Sequence, residues 1–212
     1  MNILIVDDHA VVRQGYASLL STVLSPCVVR EAGNGDQAYS MCQEDAPQVM
    51  IMDVNMSGIS GIEAARRILE RFPDVNVLFF SMYDEVPVVT QALNTGARGY
   101  ITKSCTPGIL IEAVKKVSTG QLYVEHELAM RLVVSRPEQK DQRLRDMTQR
   151  EFEIFVMLAR GLSVKEISDE LCISNKTVSN YTAILKSKLN MTSTAELVHL
   201  AIEEGLVKVG VE

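Results

Sequence analysis

Apolar residues follow two patterns along this chain, and the change from one to the other divides it. Residues 1–120 carry short continuous apolar runs: "ILIV" at 3–6, "VMIM" at 49–52 and "VLFF" at 77–80, with weaker ones in "CVVR" (27–30) and "RGYI" (98–101). Each run is followed by a helix-length stretch. Unbroken apolar runs of this length suit strands buried on both faces. Their alternation with helices predicts an α/β fold: a (βα)5 doubly wound parallel sheet. Helix starts are marked by Ser60 with Glu63, read as a capping box, and by a Thr106 cap before Pro107. Gly58, Gly61, Gly96 and Gly120 fall where turns and helix ends belong.

Residues 121–147 change character. "YVEHELAMRLVV" reads as one amphipathic connecting helix, and "SRPEQKDQRLRD", nearly all polar and containing Pro137, as a linker. From Thr148 onward strand patterns vanish. Capping boxes at Thr148 with Glu151, Ser163 with Glu166 and Ser193 with Glu196, and a cap at Ser174, predict four short helices over 148–159, 163–171, 174–189 and 193–204. The expected organisation is therefore an α/β domain at 1–120, a connecting helix and linker at 121–147, and a small all-α domain at 148–212.

Composition adds exclusions. With 47% hydrophobic and 23% charged residues the chain has ordinary soluble character. No apolar run approaches the roughly 18 residues of a membrane span, and "MNILIVDDHA" lacks the basic start of a secretory signal. A cytoplasmic protein without a membrane partner is expected. The cysteines Cys27, Cys42, Cys105 and Cys172 and the three histidines are dispersed, which favours free thiols over a disulfide framework or a zinc site. Basic and acidic residues number 9 and 13 in residues 1–120, 4 and 4 in 121–144, and 8 and 10 in 145–212. No segment is globally basic, so any nucleic-acid surface must be local.

In an open parallel α/β sheet, ligands bind beyond the carboxyl ends of the strands, where strand order reverses. The first strand here ends in Asp7-Asp8, the third in Asp53, the fourth in Ser81, and Lys103 follows the fifth. With the order 2-1-3-4-5, strands one and three are neighbours about 4.8 Å apart, and their aspartates converge. Carboxylates this close repel by roughly 1 to 4 kcal/mol per pair unless a cation sits among them. Hard oxygen ligands suit Mg2+, and Lys103 supplies a second, fixed cation. One aspartate would remain as a nucleophile for a phosphoryl group, with Ser81 offering a hydroxyl to the same group. Singly, each of these is an ordinary loop-starting residue; together they end four of five strands.

The C-terminal segment "LSVKEISDELCISNKTVSNYTAILKSKLN" reads as helix, tight turn, helix. At about 100° per residue, Val178, Tyr181, Leu185 and Leu189 fall on one stripe. Lys176, Ser179, Asn180, Ala183, Lys186 and Ser187 fall on the other side, with Thr177 at its N-terminal end. Residues 174–190 hold three lysines and no carboxylate. Such a helix suits a major groove, its N-terminal end near phosphates.

"ILIVDDHAVVRQG", "MDVNMSGISGIEA", "FFSMYDE" and "GARGYITKS" resemble, in order and spacing, the receiver domain of two-component response regulators. "MTQREFEIFVMLARGLSVKEISDELCISNKTVSNYTAILKSKLNM" is similar to the LuxR-type helix-turn-helix domain. Joined, they resemble the NarL/FixJ class. The resemblance implies that Asp53 accepts phosphate from a sensor histidine kinase. Asp7, Asp8, Asp53 and the Asn55 carbonyl would hold Mg2+, Ser81 and Tyr100 would form a switch pair, and a homodimer of the phosphorylated form would bind promoter DNA. Ser57 and Ser104 stand where many receivers have proline; without proline the 103–104 bond is expected trans or strained. Ser179, Asn180 and Ala183 stand where many relatives are more basic or apolar. Two other readings stay open at this point: a Mg2+-dependent phosphohydrolase, and a regulator whose helices dock a protein partner.

Overall fold

The computed structural model describes residues 1–134, 144, 147–171, 173–204 and 206–207, so the linker around Pro137 and the Cys172 thiol lie outside the described residues. The chain forms two compact units, Met1–Ser135 and Arg136–Glu212.

In the first unit, β1 (Asn2–Val6), β2 (Val28–Ala32), β3 (Val49–Met52), β4 (Asn76–Ser81) and β5 (Gly99–Thr102) are parallel, in the order β2-β1-β3-β4-β5. They alternate with α1 (Ala10–Val23), α2 (Gly35–Glu44), α3 (Gly61–Arg71), α4 (Val86–Asn94) and α5 (Pro107–Ser118). Successive strand residues point to opposite faces, and both faces are covered. Ile3, Ile5, Val49, Ile51, Leu78 and Phe80 pack with Leu20 of α1 and Leu110, Val114 and Val117 of α5. Leu4, Val6, Met50, Met52, Val77 and Phe79, the alternate positions, have no exposure either. Burial on both sides is why these strands read as unbroken apolar runs.

A sixth strand corrects the expectation of one helix from residue 123. β6 (Tyr123–Val124) pairs parallel with β5, and α6 (His126–Val134) begins only after it. Tyr123 N donates to Arg98 O at 2.9 Å and Glu125 N to Tyr100 O at 3.2 Å. Pairing with the open edge of β5 thus outweighs the local helical period. The expected caps are also only partly realised. Ser60 accepts from Glu63 N, but the Glu63 carboxylate pairs with Arg66 and Arg67 instead of closing the box. Thr106 makes no side-chain cap, and Pro107 alone marks the start of α5. Lys103–Ser104 is trans; among the described residues the cis bond is Ser25–Pro26.

The second unit comprises α7 (Gln149–Ala159), α8 (Val164–Glu170), α9 (Asn175–Leu189) and α10 (Thr194–Glu203). Thr148/Glu151 and Ser163/Glu166 close reciprocal capping boxes, and the Ser174 hydroxyl accepts from Thr177 N. Ser193 accepts from Glu196 N, yet the Glu196 carboxylate takes the N–H of Thr192, so this box is displaced by one residue. Phe152, Phe155, Ile167, Val178, Leu185, Leu189 and Leu197 form the buried interior. Among the described residues, no helix is long and apolar enough to cross a membrane.

Candidate functional site

Register delivers the acidic residues to one place. Val6 is paired with Met52, so β1 and β3 end level and their next residues emerge side by side. Asp53 N donates to Val6 O at 2.9 Å and Asp7 N to Ala32 O at 3.1 Å, fixing both residues from the main chain. The start of α3 passes close above: a Cβ on Gly61 would lie 1.7 Å from Asp53 O, so only glycine fits.

From the far side of the sheet end, Lys103 Nζ lies 2.7 Å from Asp7 Oδ2 and 2.7 Å from Asp53 Oδ2. The carboxylates are nearly sealed, with side-chain exposures of 4% and 5%. Burial pushes the Asp53 carboxyl up to about 6 from 3.8, and the Asp7 charge adds to this; the Lys103 ammonium opposes both. For Lys103, burial disfavours the ammonium, but the two carboxylates outweigh it and raise its pKa. One ammonium serves two buried acids, with Asp8 beside them. The pocket is short of positive charge.

Asp8 Oδ2 accepts from Ser57 N at 2.8 Å, a bond proline at 57 would not provide. Its other oxygen, Oδ1, is buried and lacks a hydrogen bond; His9 Nδ1 lies 2.9 Å away without hydrogen-bond alignment. Ligand atoms of Asp7, Asp8, His9 and Asp53 all fall within 4.8 Å of one another. An orphan carboxylate oxygen among hard oxygen donors fits a divalent cation such as Mg2+. Asn55 shares the loop, its N–H 3.4 Å from Asp53 Oδ1. His9 was not picked out from the sequence, although its place directly after the acidic pair was the available signal.

The expected switch residues lie next door. Ser81, fully buried, closes β4; its main-chain oxygen accepts from Lys103 N at 2.7 Å, and its hydroxyl accepts from Tyr83 N at 3.3 Å. The Tyr100 ring is already turned inward with no exposure, and its hydroxyl donates to Tyr83 O at 2.8 Å.

In the second unit, α9 buries Val178, Leu185 and Leu189 and leaves Tyr181 half-buried. Lys176, Ser179, Asn180, Ala183 and Ser187 are exposed, while Thr177 and Lys186 are intermediate. The expected excess of three lysines is smaller in the fold: Lys188 Nζ pairs with Glu151 at 2.8 Å. In α10, Leu197 and Ala201 are buried and Ile202 is exposed, so the first two serve the interior of this unit.

A family model described as the response regulator receiver domain matches residues 3–115, and one described as bacterial regulatory proteins, luxR family, matches residues 145–201. Transcriptional activator protein ExaE of Pseudomonas putida is 48% identical over 212 residues, covering 99% of each chain. Response regulator UvrY of Escherichia coli K12 is 36% identical over 208 residues, 97% of this chain and 95% of UvrY. Among solved structures, RcsB of Salmonella enterica serovar Typhimurium, bound to promoter rprA with the phosphomimetic BeF3−, has the same fold. Its TM-score is 0.62 at 22% identity, over 94% of this chain and 97% of RcsB.

Proposed function

Because the chain belongs to the response regulators that join a receiver domain to a LuxR-family DNA-binding domain, we propose that Asp53 is its phosphoacceptor and that phosphorylation controls DNA binding. A transcription regulator of this kind sets aside the phosphohydrolase reading: phosphoryl transfer to Asp53 is a switching event, with at most self-catalysed hydrolysis to reverse it. The observation that carries the reading is Lys103 Nζ held at 2.7 Å from both Asp7 and Asp53, beside Asp8, one of whose buried oxygens makes no hydrogen bond.

An Asp53 carboxylate oxygen attacks the phosphorus of a phosphohistidine on the sensor kinase, and the P–N bond breaks as the O–P bond forms. Lys103 offers its ammonium to the incoming phosphoryl oxygens, and the Ser81 hydroxyl donates to the same group. Asp7, Asp8, Asp53 and the Asn55 carbonyl would hold Mg2+, which supplies charge neutralisation to the carboxylates and phosphoryl oxygens. Tyr100 is the partner of Ser81 in the switch, its inward ring fitting the space beside the Tyr83 carbonyl.

The C-terminal output reads double-stranded promoter DNA with α9: Lys176, Thr177 and Lys186 toward the backbone, and Ser179, Asn180, Ala183 and Ser187 toward base edges. One small acidic domain binds weakly, so a homodimer of the phosphorylated form, in the cytoplasm, is the active species. The working division is a receiver at 1–120, a connector at 121–147 and an output domain at 148–212. The test is incubation with a small phosphodonor and MgCl2, followed by mapping of the acyl phosphate: label on Asp53 supports the assignment, and label elsewhere refutes it.

A further inference from the structure

Glu125 stands where β6 turns into α6, and its polar groups go to three places. Its N–H donates to Tyr100 O as the last rung of the β5–β6 ladder, and its carbonyl accepts from Ala129 N at 2.9 Å, inside the first turn of α6. With that carbonyl committed to the helix, the next donor along β5, the Thr102 N–H, has no strand carbonyl to meet. The Glu125 carboxylate replaces it: Oε2 accepts from Thr102 N at 2.9 Å and from Thr102 Oγ1 at 2.8 Å. Thr102 has one hydroxyl proton, given to the carboxylate, so in the 2.9 Å contact between Thr102 Oγ1 and Ser104 Oγ it is Ser104 that donates. Both neighbours of Lys103 thus hang from one carboxylate.

The same helix reaches the other side of the site. Arg131 of α6 pairs with Asp84 at 2.9 Å, three residues beyond Ser81, and α6 packs against α4. Lys103 N and Ser81 O are themselves bonded, so the two attachments of α6 grip two backbone segments, after β4 and after β5, that this bond ties together. We propose that Glu125 is a positioning residue for Lys103 and that its carboxylate transmits a change at Asp53 to α6. This rests on the phosphoacceptor reading above. Phosphoryl oxygens on Asp53 draw the Lys103 ammonium and the Ser81 hydroxyl to new partners, residues 102–104 shift, and α6 follows because Glu125, the residue that leads into it, is bonded to Thr102.

The test uses the full chain, a small phosphodonor and MgCl2. Glu125→Ala should slow initial labelling of Asp53 roughly tenfold while leaving the half-saturating Mg2+ concentration unchanged, because Asp7, Asp8 and Asp53 are untouched. Glu125→Gln, whose amide oxygen still accepts from Thr102, should restore most of the rate. At equal labelling, amide exchange across residues 126–134 should respond to phosphorylation in the wild type and not in Glu125→Ala. Thr102→Val, which deletes the hydroxyl and keeps the shape, should give the same changes at smaller amplitude even if Glu125→Ala fails to fold. Wild-type labelling and a wild-type exchange response in a folded Glu125→Ala variant overturn the proposal; so does slower labelling explained wholly by weaker Mg2+ binding. A wild-type protein that takes no label overturns both this proposal and the phosphoacceptor reading.

Discussion

Replacing Asp53 with Asn should make the N-terminal unit more stable, provided no divalent ion is present. Asp7 and Asp53 share the single ammonium of Lys103 at 2.7 Å each, and Asp53 is 5% exposed. Burial lifts its carboxyl from 3.8 to about 6, so the ionised form carries a penalty of about 3 kcal/mol relative to the unfolded chain. The sign follows from proton binding. The folded state holds the Asp53 proton more tightly, so folding is favoured by acid across the window between those two values, and the penalty is complete above about pH 7. Asn has no charge to desolvate at any pH, although its bond to Lys103 is weaker than that of a carboxylate. The expected gain is about 1–3 kcal/mol at pH 8, or about 3–9 °C in melting temperature, fading toward zero near pH 4. Calorimetry of the full chain in EDTA reads it, with the relevant transition identified by its rise when MgCl2 is added to the wild type. An Asp53→Asn variant no more stable than wild type at pH 8, or one whose advantage persists at pH 4, would refute the reasoning.

Lys103→Met removes the cation and leaves both carboxylates, so it should cost about 3–5 kcal/mol in EDTA and regain part of that in MgCl2; urea unfolding with no loss in EDTA would contradict it. Glu151→Ala deletes both the α7 capping box and the ion pair to Lys188, and should destabilise the C-terminal unit by about 1–2 kcal/mol. Burial raises the Glu151 carboxyl, but bonds from Lys188 and Thr148 outweigh it and hold it below its usual value. Its charged-state contribution is therefore full above the ordinary Glu range and is lost as pH falls through the lowered folded value, which acid titration of the stability difference would check. Lys176→Ala with Asn180→Ala should weaken operator binding by about 1–3 kcal/mol with Asp53 labelling intact; equal DNA affinity in a mobility-shift titration would remove α9 from the reading surface.

Most of what positions the site was legible because it sits on apolar runs that end in polar residues. Asp7, Asp53 and Ser81 mark strand ends, and level pairing of Val6 with Met52 brings the two aspartates together. What escaped depends on bonds between distant positions. β6 was hidden in an amphipathic pattern because its pairing partner, the β5 edge, is a property of the folded sheet. Glu63 and Glu196 matched the capping-box spacing, yet their carboxylates found stronger or nearer donors in Arg66, Arg67 and Thr192. Lys188 adds to the lysine count of α9 in sequence, but its ion pair with Glu151 of α7 is a contact between distant positions. Ser57 and Ser104 looked like departures; Ser57 N–H caps Asp8, and the Ser104 hydroxyl joins the Thr102–Glu125 chain.

The central claim is that a phosphoryl group on Asp53 changes what α9 does to DNA. Its most direct measurement is the affinity of the full chain for a DNA site selected from random sequence, with and without a small phosphodonor in MgCl2, for wild type and Asp53→Asn side by side. The account predicts tighter binding by the phosphorylated wild type and no response in Asp53→Asn. An equal response in both proteins, or none in a wild type shown to carry the acyl phosphate, would contradict it.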